Sequence, residues 1–119
     1  MHTKILVHTW FEIWKAGNFE DLPLADHFTH TSPYGTIEGK QAYMDLVNAN
    51  RDKFLGHTFE IHDTLFEDHS ACIRYTAVQG DFRLEVTEWH YCKEHLIEKI
   101  IAYYNIPGEI REDRQLEKL

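Results

Sequence analysis

The sequence predicts an α+β domain: a cone-shaped, curved antiparallel sheet wrapped around a long N-terminal helix, with two further helices. Three observations lead there. Leu6, Trp10, Ile13 and Trp14 recur at spacings of three and four, which is the stripe of an amphipathic helix. From Ala71 to Tyr91 the period becomes two. Ile73, Tyr75, Ala77, Phe82, Leu84 and Val86 form one set; Arg74, Thr76, Arg83, Glu85 and Thr87 form the other. Helical patterns come first and strand patterns follow, so the helices stack on one face of a sheet.

The elements follow in order. Thr3 to Ala16 is the first helix, and Gly17 ends it in a left-handed conformation. Asn18 caps a second, short helix through about His27, with Pro23 limiting its regularity. Phe28 to Ser32 is a short strand, and Pro33-Tyr34-Gly35 a turn. A third helix runs from about Gly39 to Lys53, with Ala42, Tyr43, Leu46 and Val47 as its apolar stripe. His57 to Phe66 is a strand and Glu67-Asp68-His69 a turn. Ser70 to Val78 and Asp81 to Tyr91 pair across a two-residue loop, Gln79-Gly80. That register sets Arg74 opposite Glu85 as an exposed ion pair worth under about 1 kcal/mol. Cys92 to His95 closes the next hairpin, Leu96 to Tyr104 is the last strand, and Pro107-Gly108 stops the sheet. Residues 1–106 make a single domain; residues 107–119 are expected as a charged tail or short helix.

Composition narrows the function. At 119 residues the chain has room for one core. Net charge is −8 and the basic residues are scattered, which disfavours nucleic acid, whose phosphates need clustered cations. No apolar run approaches the roughly 20 residues that span a bilayer. The N-terminal residues lack a signal-peptide layout, so a cytoplasmic location is the expectation. Cys72 and Cys92 have no metal-type spacing, and none of the nine histidines form an i, i+4 helical pair, so no metal site is expected.

The candidate site lies at the end of the period-two row. Glu88 continues the row of Phe82, Leu84 and Val86, and His90 follows it. Inward-facing, a carboxyl in an apolar site can act as acid, base or hydrogen-bond donor. A bulge at Thr87-Glu88 would instead turn Glu88 outward and bring Trp89 and Tyr91 inside. His30 shares strand parity with Phe28 and Ser32, and a neutral imidazole facing the hollow can take a proton from a substrate. Glu88 and His30 are the catalytic candidates. Trp10, Trp14, Tyr43 and Tyr104 sit at core spacings; with Ser32 they either fill the cone or wall a pocket for a small apolar or aromatic ligand. Trp89, Tyr91, Ile101 and Tyr103 have the opposite parity. Such a patch is buried either by a two-fold homodimer contact, with Arg74, Arg83 and Glu85 at its rim, or by the segment from Ile106 to Leu119 folding back.

In this order and spacing, several segments resemble the nuclear transport factor 2-like superfamily in its SnoaL-like branch. They are Trp10 to Asn18, Ser32-Pro33-Tyr34-Gly35 with Glu38-Gly39-Lys40, Ile73 to Thr76, and Ile97 to Asn105. The resemblance covers nearly everything from Lys4 to Asn105. It implies the cone fold, shared by isomerases, dehydratases, cyclases, epoxide hydrolases and plain binding modules. The ketosteroid isomerases of the superfamily carry their general-base aspartate just before the Pro-x-Gly turn, where this chain has Ser32. Their oxyanion tyrosine corresponds to Trp10 and their oxyanion aspartic acid lies near Thr87 or Glu88. The essential aspartate of the epoxide hydrolases maps to about Ala102. Those two activities are therefore disfavoured, and histidine-based proton transfer, as in the scytalone dehydratases, stays open. The resemblance thus implies a small-molecule-binding domain, or alternatively a cofactor-independent isomerase, dehydratase or cyclase working through His30 and Glu88.

Overall fold

The structure is a computed structural model that describes residues 2–106 and 116. Helix α1 spans His2–Ala16 and buries Leu6, Val7 and Trp10. It stops at Gly17, whose φ of 93° an L side chain rarely adopts and whose missing Cβ leaves room for Leu55. Strands β1 (Leu24–Ser32) and β2 (Gly35–Glu38) follow, then helices α2 (Lys40–Ala49) and α3 (Arg51–Phe54). Strands β3 (Thr58–Phe66), β4 (Ser70–Gln79), β5 (Phe82–Lys93) and β6 (Leu96–Asn105) complete a six-stranded sheet of order β2-β1-β6-β5-β4-β3. The α+β expectation holds, as does the cone: an open, curved sheet whose register shifts in β1, in β3 and between Tyr91 and Cys92 bend it around α1.

Several boundaries differ from the sequence expectation. The sheet is mixed rather than antiparallel, because β1 runs parallel to β6. The helix expected from Asn18 to His27 shrinks to a 3-10 turn, Phe19–Asp21. Pro23 cannot continue a helix, its carbonyl accepts from Ile97 N–H, and Leu24 pairs with Ile97, so the chain is already strand. The third helix breaks at Asn50. There the amide side chain donates back to Leu46 O at 2.8 Å and competes with the helical backbone.

The β4–β5 loop is Gly80-Asp81, one residue later than expected, since Gln79 pairs with Phe82. Arg74 therefore faces Thr87, not Glu85. Its partner is Asp63 on β3 at 2.6 Å; Arg83 pairs with Glu60, and Glu85 accepts from Asn105. The β5–β6 loop narrows to Glu94-His95, both with positive φ as a two-residue hairpin requires.

Two groups of buried side chains pack between the helices and the concave face. One joins Leu6 and Trp10 to Phe28, Tyr43 and Ile100; the other joins Val7 to Ile73, Tyr75 and Val86. No helix among the described residues is long and apolar enough to cross a membrane. The segment expected as a charged tail lies outside the described residues except for residue 116.

Candidate functional site

The cone is not filled. A cavity of about 620 Å³ remains between α1, α2, α3 and the concave face. Ser32 and Ala77 present small side chains to it. Its walls are aromatic: Trp10, Trp14, Tyr43, Phe59, Tyr75 and Tyr104 all line it. So do His30 and Glu88, and, at the α3 end, Lys53, Phe54 and His57.

Glu88 points inward because β5 keeps its register there: Glu88 pairs with Ile73 on one side and Ala102 on the other. The alternative of a bulge at Thr87-Glu88 does not occur; β5 shifts register against β6 between Tyr91 and Cys92, past the site. Glu88 is 3% exposed. Its Oε2 accepts from the Tyr75 hydroxyl at 2.8 Å, and its Oε1 lies 2.9 Å from His90 Nε2. Burial pushes the carboxyl pKa up. The His90 hydrogen bond, the charges of His90 and His30, and the Tyr75 bond together outweigh burial and hold it below the usual carboxylate value.

His90 and His30 belong to one ladder row, both paired with Ile100 of β6. His90 is wholly buried against the Trp10 ring, edge to face at 5.6 Å, and its Nδ1 has no hydrogen-bond partner among the described residues. His30 is stacked on Tyr43 with ring centroids 5.2 Å apart. Burial lowers its pKa more than the Glu88 carboxylate raises it, which keeps the ring neutral near pH 7. The hydrogen bonds to Glu88 come from Tyr75 and His90. Ser32 Oγ accepts from the Tyr34 backbone N–H at 3.2 Å. Burial first, and then the Glu88 charge, raise the pKa of Tyr43, Tyr75 and Tyr104, so all three stay protonated donors. Trp14 contributes an indole N–H that is buried and unpartnered among the described residues.

The structure thus brings Glu88, His30, Trp10, Trp14, Ser32, Tyr43 and Tyr104 to one cavity. The sequence reading stopped short of assigning roles to Tyr75 and to His90. Both signals were present: His90 shares Glu88's parity at i+2, and Tyr75 faces Val86, one step from Glu88, once the loop is Gly80-Asp81. Among the described residues no group of three or more His, Cys, Asp or Glu could hold a metal ion.

Several solved structures share this fold. A nuclear transport factor 2-like protein of unknown function from Cytophaga hutchinsonii superposes with a TM-score of 0.74 at 19% identity, covering 87% of this chain and 89% of that one. A protein provisionally assigned as a ketosteroid isomerase, from Kribbella flavida, gives 0.74 at 18% identity over 94% and 86% of the two chains. A provisionally assigned isomerase of the SnoaL-like family from Agrobacterium tumefaciens gives 0.70 at 16% identity over 88% and 98%. At these identities the likeness is one of fold. No curated protein sequence matches significantly. The sequence itself matches the SnoaL-like domain over residues 7–99. That match spans most of the chain and agrees with the cone architecture, so the protein belongs to the SnoaL-like domain family, within the nuclear transport factor 2-like superfamily.

Proposed function

We propose that the cone binds a small, mostly apolar or aromatic molecule. The observation that carries this reading is the aromatic cavity of about 620 Å³ with Glu88 and His30 in its wall, within the size and character of small-molecule sites. Native mass spectrometry against a mixture of small aromatic compounds tests it. Noncovalent adducts are expected on the 14.2 kDa chain and should vanish in Ala77→Phe, which fills the cavity. Adducts equally abundant in that variant, or none in the parent, sink the reading.

A second reading is cofactor-independent isomerisation, dehydration or cyclisation. It is supported by a neutral imidazole and a buried carboxylate sharing one wall, and by the isomerase assignments of two structural neighbours. In it His30 takes or gives the proton, Glu88 is its charge partner, and Ser32, Tyr43 and Tyr104 orient a carbonyl or hydroxyl group.

The outer face of the sheet supports a homodimer. Trp89 and Tyr103 are 37% and 60% exposed, Tyr91 stacks on Trp89, and Ile101 pairs with Trp89 on the adjacent strand. A two-fold contact buries such a patch. Sedimentation is expected to give twice the chain mass, and Tyr103→Glu to return the monomer. A parent chain that sediments as a monomer at micromolar concentration defeats the dimer.

A further inference from the structure

The hydrogen bonding of His90 decides the charge in the cavity wall. Three proton arrangements fit a histidine and a carboxyl joined through Nε2 and Oε1. The carboxyl can donate to Nε2, which leaves the ring proton on Nδ1. Both nitrogens can be protonated, again leaving Nδ1–H. Or Nε2–H can donate to a carboxylate, which leaves Nδ1 a bare acceptor. Nδ1 is buried and has no hydrogen-bond partner among the described residues. The first two arrangements would strand a buried N–H donor on a ring packed against Trp10 and Phe11. The third strands only an acceptor lone pair, the more tolerable defect. The lowered carboxyl pKa of Glu88 weighs separately against the first arrangement, the only one with a protonated carboxyl.

Glu88 is then an anion whose two hydrogen bonds come from neutral donors, Tyr75 O–H and His90 Nε2–H. The other bases and phenols acting around it are His30 on β1, Tyr43 on α2 and Tyr104 on β6. His30 is neutral near pH 7 and the phenols are protonated. Lys53 lines the cavity from α3, an element other than those that hold Glu88 and its hydrogen-bond donors. A buried negative charge thus sits in a wall of aromatic rings, in a chain of net charge −8. Ring faces attract cations, and a desolvated carboxylate gains most from a cationic partner. An acidic chain also raises the local concentration of cations.

We infer that the ligand of this cavity carries a protonated amine beside a ring, with the ammonium against the Glu88 carboxylate and the ring among Trp10, Trp14 and Tyr43. The inference rests on the cavity being a ligand site and adds the chemical class. It gives Glu88 to recognition and leaves any proton transfer to His30.

Three probes of one shape separate the charges: 2-phenylethylammonium, 2-phenylethanol and 3-phenylpropionate. Binding is followed by the indole N–H resonances of Trp10 and Trp14 at pH 7. The ammonium is expected to bind about tenfold tighter than the alcohol, or more, and the carboxylate more weakly than either. In Glu88→Gln, checked for folding by thermal melting, the ammonium should fall to the affinity of the alcohol. The inference is overturned if the alcohol or the carboxylate binds parent protein as tightly as the ammonium, or if folded Glu88→Gln keeps the preference. In those cases tryptophan shifts still uphold the cavity as a ligand site. If none of the three probes shifts the tryptophans, the amine inference falls, and the mass-spectrometric comparison with Ala77→Phe decides separately whether the cavity binds anything.

Discussion

Trp10→Ala is expected to lower stability by about 3–5 kcal/mol, the usual cost of truncating a buried tryptophan. Trp10 is 3% exposed and is one of the α1 side chains that pack against the sheet at the site. Its ring meets Trp14 at 5.7 Å, Tyr43 at 6.3 Å and the edge of His90 at 5.6 Å. Removing it enlarges an existing cavity and takes the apolar cover off His90. A domain of this size has roughly 5–15 kcal/mol to lose, so the variant should melt well below the parent. Guanidinium denaturation measures the difference. A loss under about 1 kcal/mol would mean that Trp10 is not packed between α1 and the sheet.

The second large effect is at Glu88, where two substitutions of similar size should separate. Glu88→Leu leaves the Tyr75 hydroxyl and His90 Nε2–H without acceptors, each a buried donor costing about 1–3 kcal/mol. The removed carboxylate was itself expensive to bury, so the net loss is expected near 2–4 kcal/mol. Glu88→Gln can keep both bonds. Its amide oxygen accepts from His90 while its NH₂ donates to the Tyr75 oxygen, whose hydroxyl rotates away. Stability should then stay within about 1 kcal/mol of the parent. If the second reading holds, proton transfer should still fall by about 100-fold or more in Glu88→Gln, because the charge is gone. Equal stability losses in the two variants would show that the Tyr75 and His90 bonds do not hold the carboxylate. Full activity in folded Glu88→Gln would leave Glu88 outside the chemistry.

Much of the fold was legible because its signals are local. The stripe Leu6-Trp10 needs only the helical period, and Ile73, Tyr75, Val86 and Glu88 share a face by the period of two alone. Gly17 shows where the first helix must stop. The inward orientation of Glu88 followed from parity, but the sequence left a bulge at Thr87-Glu88 open. The pairing of Glu88 with both Ile73 and Ala102 excluded it. A bulge is a property of two strands together, so one strand's pattern does not locate it.

The sequence by itself determined the layer arrangement and named Glu88 and His30 as candidates for the inner face. Only the tertiary structure decided what those groups do to one another. The parallel pairing of β1 with β6 joins residues far apart in the chain, as His27 and Glu98 show across 71 positions. No local pattern encodes that contact, and it is what draws residues 24–27 out of a helix and puts His30 in the row of His90. A loop one residue later than the turn signal changed the partner of Arg74 and put Tyr75 within reach of Glu88. Whether the cone is filled was also beyond the pattern. A void is a difference between the volume a sheet and its helices enclose and the volume their side chains occupy, and only packing in three dimensions fixes the first.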